Sequence, residues 1–417
     1  MGTGNGLKLS HRDHAVTPLT WTRGLSLFNE FPKNMSFTDT DSRHMQRALE
    51  LAERGRGFVE PNPMVGCVIV KDGQVVGEGL HARFGGPHAE VAALEAAGSQ
   101  TKGGTLYVAL EPCCHQGKTP PCTKTVIAAG ITRVVAAMQD PFAEVSGQGL
   151  AEIREAGIEV EVGLHEDLAR RLNGPYLKLL STGKPWVIAK WAMTLDGKIA
   201  TRSGYSKWIS GSAAREVVQA LRSRVDAIVV GRRTAEMDDP LLTARPESGT
   251  PARIATRVVV SSLARLSADS QLAKTAKDFP VLLVCGPDAQ KRDMRRLAGK
   301  GVEVLPFLAE TRYERTLQLL DELGSRRMTN ILVEGGSQLF GTLLDARQID
   351  EVHVFIAPKI FGGEKAPSPI GGAGISNITA AVRLQEMQVK SLGDDIYLHG
   401  FTESAPNSLL PRLAPDR

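Results

Sequence analysis

The sequence predicts an α/β protein in two parts, and three observations carry that expectation. Apolar runs of strand length alternate with stretches at helical spacing along most of the chain. The alternation pauses once, at Ser181-Thr182-Gly183-Lys184-Pro185, whose composition is that of a linker. The 417 residues suffice for two domains, each with its own core.

Composition narrows the class. Hydrophobic content of 42% and charged content of 23% are ordinary for soluble globular proteins. Fifty basic against 46 acidic residues leave a net charge of only +4, no broad footprint for nucleic acid. No apolar run approaches the roughly eighteen residues of a membrane span. Five cysteines do not make a disulfide framework, and Cys67 and Cys285 lie in apolar strand-like runs as reduced core residues. A reducing, cytoplasmic compartment is expected.

Residues 1–38 lack a hydrophobic period and are expected to be a disordered extension. Arg12, Arg23 and Lys33 outnumber the acids there, but the helical pattern of a transit peptide is poor. Met35 stands just ahead of the first convincing helix. The first domain is expected over 39–182, the second over 183–402, with a disordered tail over 403–417. Met45, Ala48, Leu49 and Ala52 repeat at helical spacing, and Gly55 supplies a stop. Val65–Val70 and Gln74–Gly79 flank the turn Lys71-Asp72-Gly73 and read as a hairpin. Pro87 is expected to open a helix and Pro120-Pro121 the next, with the strand Thr105–Leu110 between them. Strands Arg133–Ala137 and Glu159–Val162 bracket a helix over 149–156. In the second half seven strands begin near 186, 227, 257, 281, 302, 330 and 351. Helices near 211–223, 290–298, 312–323 and 337–346 alternate with them, so a mainly parallel sheet is expected.

The stretch from His88 to Cys122 carries the chemistry of a zinc site. His88, Cys113 and Cys122 offer an imidazole and two thiolates, the three protein ligands of a catalytic zinc that keeps one position open. Glu90, two residues after the histidine, is expected to shuttle protons without binding metal. The order H-x-E…P-C, then a second cysteine, is the pattern of zinc nucleobase deaminases. The strict C-x-x-C is absent, since Gln116 stands where the second cysteine would fall and the next is Cys122. Cys122 at a helix start is expected to favour the thiolate. A structural zinc knuckle would need a fourth ligand and would leave Glu90 idle.

In the second half no G-x-G-x-x-G follows any strand. Val333-Glu334-Gly335-Gly336-Ser337 instead runs from a strand through two glycines into a helix, a turn that lets backbone approach a phosphate. Many α/β turns hold Gly-Gly for backbone reasons alone. Taken singly, Trp208 reads as core, Asp238-Asp239-Pro240 as a helix-ending turn, and Arg222 and Arg245 as surface charges.

Glu111-Pro112-Cys113-x-His115-x-Gly117-Lys118-Thr119-Pro120-Pro121-Cys122, with Pro61-Asn62-Pro63-Met64-Val65-Gly66 upstream, closely resembles the deaminase half of the bifunctional riboflavin-biosynthesis deaminase–reductases. The longer cysteine spacing is normal there, although Cys114 stands where serine is usual. Lys190, Thr194-Leu195-Asp196-Gly197, Ser206-Lys207-Trp208-Ile209 and Asp238-Asp239-Pro240-Leu241-Leu242-Thr243 resemble the reductase half. The resemblance covers about 42–402 and implies a cytidine-deaminase-like zinc domain followed by a dihydrofolate-reductase-like domain that uses NADPH. It implies cofactor contacts at Ala192, Trp208, Thr234, Asp238, Ser262, Gly336, Ser337, Gln338, Leu339, Phe340, Gly341 and Thr342. It implies a phosphoribosyl substrate held by Ser206, Arg222, Leu242, Arg245 and Glu334, the arginines by bidentate contacts to phosphate.

The expected activities are hydrolytic deamination of a diaminopyrimidinone that carries a phosphoribosylamino group, then reduction of its ribosyl group to ribityl. Zn2+ and NADPH are the expected cofactors, with Glu90 the proton carrier and Asn62 either a substrate contact or a turn residue. The expected partner is the small-molecule substrate, with neither nucleic acid nor membrane, and a homo-oligomer is compatible with this reading. Two other classes compete: a nucleic-acid base deaminase with a C-terminal binding module, and a zinc-stabilised scaffold without activity. Reductase motifs and near-neutral charge oppose the first, and the ligand count opposes the second.

Overall fold

The computed structural model of the chain describes residues 37–116, 120–246 and 249–403. Most of the expected extension and tail, with Met35, lies outside these residues. The first helix, α1 (Asp39–Glu53), begins a few residues earlier than its apolar pattern, because Asp39 and Asp41 suit its first turn. Met45, Ala48, Leu49 and Ala52 form its buried face. The hairpin follows as β1 (Gly66–Lys71) and β2 (Gln74–Leu80), then α2 (Ala89–Ala97), β3 (Thr105–Val108) and α3 (Cys122–Ala128). The remainder of the first half is β4 (Arg133–Ala136), α4 (Gln148–Glu155), β5 (Glu159–Val162), α5 (Glu166–Leu172) and α6 (Gly174–Thr182).

These strands make a five-stranded sheet in the order β2-β1-β3-β4-β5, antiparallel around β1 and parallel from β3 to β5. Strand alternation sends Cys67, Ile69, Leu106, Val108, Val134 and Ala136 to one face, where they meet Ala93, Val126, Leu150 and Ile153 from α2, α3 and α4. Helix α1 packs against β1 and β3 and also meets α5. Two local expectations differ. Pro87 stands outside α2, whose N-cap is the extended His88. The supposed linker begins later, because α6 continues through Ser181 and Thr182, whose hydroxyls bond back to helix carbonyls.

The second half runs β6 (Trp186–Thr194), α7 (Ser212–Arg224), β7 (Ala227–Gly231), α8 (Arg232–Asp238), β8 (Thr256–Val260), α9 (Gln271–Lys274) and β9 (Val281–Cys285). It continues with α10 (Lys291–Ala298), β10 (Glu303–Pro306), α11 (Arg312–Ser325), β11 (Asn330–Gly335), α12 (Ser337–Asp345) and β12 (Glu351–Ala357). A hairpin that sequence reading did not find, β13 (Leu384–Leu392) and β14 (Asp395–Thr402), completes a nine-stranded sheet. Its order is β10-β9-β8-β7-β11-β6-β12-β14-β13, parallel from β10 to β12 and antiparallel beyond. The inner strands read as unbroken apolar runs because both faces are covered. Ile188, Ile228, Val230 and Leu283 face Leu221, Leu272 and Leu297, while Val187, Val229, Leu282 and Ile331 face Leu319, Leu323 and Phe340. Cys67 and Cys285 are buried thiols, and all five cysteines are unpaired. Among the described residues no helix is long and apolar enough to cross a membrane.

Candidate active sites

The first site gathers at the ends of α2 and α3. His88 caps α2, so its ring stands free of the helix while Glu90 turns into the interior, 3% exposed. From β3 the chain runs on through Ala109 and Leu110 to Glu111, whose buried carboxylate accepts the N–H groups of Asp140, Gly147, Gly149 and Leu150. That four-fold anchorage fixes the peptide just before Cys113. Cys122 opens α3 directly after Pro121. His88 Nδ1 lies 3.2 Å from Cys122 Sγ and 3.4 Å from Cys113 Sγ, and the three donor atoms lie within 4.8 Å of one another. Zinc bonds of ordinary length at tetrahedral angles put such an N···S edge at about 3.5 Å, so the donors fit this ion. Cys114 turns away, toward the carbonyl of Glu144 at 3.6 Å.

The hydrogen bond from the Cys122 thiol holds the Cys113 thiol down at about 4, with His88 and the Cys122 N–H adding to it. Cys122 is pushed up by the same neighbour and by burial. Burial, and then the Cys113 charge, push Glu90 up to about 7.

His81, which sequence reading missed, stands beside His88 with ring centroids 5.4 Å apart. Its Nδ1 meets the Pro87 carbonyl at 2.9 Å, and its Nε2 meets Asn62 Nδ2 at 3.2 Å. The only sequence signal was a polar residue directly after β2. His115 in the cysteine loop has a buried Nδ1 with no partner among the described residues.

The second site is a cleft of about 1400 Å³ at the carboxyl ends of β6, β7, β8 and β11, where open α/β sheets take their ligands. Ala192, Ser206, Trp208, Arg222, Thr234, Asp238, Leu242, Arg245, Ser262, Glu334 and the run Gly336–Phe340 all line it. Gly341 and Thr342 do not. A Cβ on Gly341 would meet the Gly371 carbonyl oxygen at 2.3 Å, and the Thr342 hydroxyl donates to Gln338 O, so both serve packing. Gly336 caps α12 at φ +100°, and a Cβ there would lie 3.4 Å from the Gly231 backbone. Two strand ends thus present bare backbone to the cleft. Trp208 is no core residue: it is 69% exposed, with the Arg215 guanidinium 4.9 Å from its ring centroid.

Two pairings reshape the expected roles. Ser206 Oγ donates to Asp238 Oδ1 at 2.7 Å, joining a residue assigned to substrate with one assigned to cofactor. Arg222 spends its fork on Glu334, at 2.5 and 2.7 Å, so it is no free cation for phosphate. Burial alone would raise Glu334, but Arg222 and Lys190 hold its carboxyl below the usual range. Burial also lowers the Lys190 ammonium, which Glu334 partly restores. Arg245 is exposed at the rim and engages Gln219 only through its backbone N–H.

Residues 38–138 match the cytidine and deoxycytidylate deaminase zinc-binding region, and residues 185–398 match the RibD C-terminal domain. The riboflavin biosynthesis protein RibD of Actinobacillus pleuropneumoniae is 42% identical over 88% of this chain and 96% of its own length. The chain belongs to the RibD family. The Escherichia coli RibD is 40% identical over 86% of this chain and 98% of its own. Among solved structures, Acinetobacter baumannii RibD superposes with a TM-score of 0.76 at 38% identity, covering 87% of this chain and 99% of that one. A Thermotoga maritima structure described as a diaminohydroxyphosphoribosylaminopyrimidine deaminase/5-amino-6-(5-phosphoribosylamino)uracil reductase gives 0.74 at 34% identity, with the same coverage. Like its relatives, this RibD-family chain is a bifunctional deaminase and reductase of riboflavin biosynthesis, with a zinc-binding deaminase domain.

Proposed function

We propose that the first site deaminates 2,5-diamino-6-(5-phosphoribosylamino)pyrimidin-4(3H)-one and that the second reduces the ribosyl group of the product with NADPH. The observation that carries the deaminase reading is the meeting of His88, Cys113 and Cys122 beside a buried Glu90. His88 Nδ1 and the two sulfurs would hold zinc, whose chemistry is Lewis-acid activation of a water nucleophile at neutral pH. Glu90, raised to about 7, is suited to both directions of proton transfer. Its carboxylate takes the proton of the attacking water and returns it to the departing amine. Asn62 and His81, which stand in contact beside His88, would orient the pyrimidine.

In the second cleft the exposed face of Trp208, the Thr234 and Asp238 side chains, Ser262 and the Gly336–Phe340 turn would hold the dinucleotide, the start of α12 offering free N–H groups to an anion. Bound there, the cofactor would supply the hydride chemistry that reduces the ribosyl group. Ser206, Leu242 and Arg245 hold the sugar phosphate, with the Arg222–Glu334 pair forming the wall beside it. Five unpaired cysteines accord with a reducing, cytoplasmic location. Supplying zinc-loaded protein with the pyrimidine substrate, with and without NADPH, tests both halves by product mass. Ammonia release without NADPH, and a gain of two hydrogens only with it, are expected. Intact substrate in both arms would refute the reading. NADPH should exceed NADH in kcat/KM by roughly tenfold, about 1.4 kcal/mol.

A further inference from the structure

The turn that carries Asn62 is held from the other half of the molecule. Arg253 lies just before β8, yet its guanidinium reaches residues that precede β1. Its Nε donates to the Gly57 carbonyl at 3.0 Å and its Nη2 to the Glu60 carbonyl at 3.1 Å. Nη2 also lies 3.7 Å from Glu60 Oε2, an atom with no hydrogen-bond partner. The remaining nitrogen, Nη1, is paired with Asp226. Asp226 is itself fixed, because its Oδ2 accepts the N–H groups of Thr329 and Asn330 and the Thr329 hydroxyl at the start of β11. The clamp is therefore rooted in the central strands of the nine-stranded sheet.

On the other side the turn is shaped to receive it. Gly57 adopts φ +86°, and a Cβ there would lie 3.0 Å from Arg224 Cβ and 3.1 Å from Ala252 Cβ, so only glycine lets the turn seat this closely. Glu60 is buried and accepts the Gly57 N–H at 2.9 Å, closing the turn on itself. Two residues later Asn62 donates its N–H to Val59 O and meets His81 with its side chain. His81 in turn stands against His88.

We infer that Arg253 is a positioning residue for the deaminase, acting from the reductase half by fixing the 57–62 turn that sets Asn62 and His81 beside His88. The inference rests on the reading of Asn62 as a substrate contact. A guanidinium suits the task because its planar fork addresses two carbonyls and a carboxylate at once, which an ammonium cannot. Substrate orientation by Asn62 then depends on the docking of the two halves, while the zinc donors, His88 before α2, Cys113 in the loop after β3 and Cys122 at the start of α3, lie outside the clamped turn.

The test uses the full zinc-loaded chain and measures deamination, reduction and zinc content for Arg253→Ala, Arg253→Lys, Asn62→Ala and the double variant Arg253→Ala/Asn62→Ala. Arg253→Ala should raise the deamination KM by roughly tenfold, the worth of one hydrogen bond to the substrate. Its zinc content, deamination kcat and reduction should stay near those of the parent. Arg253→Lys should recover part of the loss. Asn62→Ala should raise KM similarly, and the double variant should rise no further, because the two residues act in series. A merely structural role would instead lower the melting temperature and both activities together. An unchanged KM for Arg253→Ala beside a raised one for Asn62→Ala overturns the proposal alone, as does multiplication of the two effects. An unchanged KM for Asn62→Ala sinks the underlying reading and the proposal with it. If Arg253→Ala does not fold, Arg253→Lys and Glu60→Gln decide, and parental KM values in both overturn it.

Discussion

Arg222 and Glu334, 112 residues apart in sequence, satisfy each other through two hydrogen bonds in the wall of the reductase cleft. The pair is largely buried, with side chains 13% and 6% exposed. Such a pair resists the loss of either member, because the survivor is left as an uncompensated buried charge.

Arg222 and Arg245 should therefore separate in their effects. Arg222→Ala strands Glu334 and should cost about 3 kcal/mol, roughly 6–12 °C in the melting temperature of a domain of this size. Arg245→Ala should leave the melt unchanged and raise KM for the phosphorylated substrate in reduction by about 10-fold or more, the worth of a charge-assisted contact. Thermal melts and steady-state kinetics of both variants check this. A stable Arg222→Ala, or an unchanged KM for Arg245→Ala, would count against the assignment.

Glu90→Gln should lower deamination by about 10²–10⁴, the usual share of a proton-transferring side chain. Zinc content and reduction of supplied deaminated substrate should persist, since Glu90 is given no metal bond. Loss of zinc in this variant would make Glu90 a ligand and sink the division of labour.

The sulfurs allow a three-way comparison. Cys113→Ser and Cys122→Ser should each lose zinc and deamination, with reduction spared. Cys114→Ser should keep one zinc per chain, because its sulfur faces the Glu144 carbonyl. Metal analysis of the purified variants is decisive. A zinc-free Cys114→Ser beside a zinc-loaded Cys122→Ser would overturn the donor set.

Much of this was readable in the chain because the chemistry is local. His88 and Glu90 are two residues apart, Cys113 follows a proline, and each falls at an element end that sequence reading could place. The residues it missed act over distance. His81 joins the site only because the chain leaving β2 folds back onto the start of α2. Glu111 looked like a motif letter, yet it anchors a segment 29 to 39 residues away. The Arg222–Glu334 pair could not be foreseen from either residue, and a free phosphate-binding arginine was the natural expectation. The β13–β14 hairpin escaped because β13, at the sheet edge, is mostly exposed and lacks apolar alternation.

The last prediction concerns acid stability and a second cluster of histidines. Glu351, His353 and His399 lie together on β12 and β14, all buried. Glu351 Oε1 meets His353 Nε2 at 2.7 Å and His399 Nε2 at 2.9 Å, while its Oε2 accepts the Trp186 indole N–H at 3.0 Å. These are hydrogen-bond contacts, shorter than the edges of a metal tetrahedron, and Arg224 at 3.8 Å already balances the carboxylate. Burial holds His353 down at about 4 from its ordinary 6.5, so the folded protein keeps it neutral at pH 7. Between these values the unfolded chain binds the extra proton, so stability falls as pH drops from 6.5 toward 4 and the effect saturates below that. One such proton gives a slope of at most about 1.4 kcal/mol per pH unit. Glu351, held well below its ordinary value, adds a loss at lower pH. His353→Gln keeps a donor toward Glu351 but does not titrate, so its melting temperature should vary less between pH 6.5 and 4 than the parent's. Melting curves by circular dichroism across that window check this, and parallel profiles for the two proteins would show that His353 is not the group responsible.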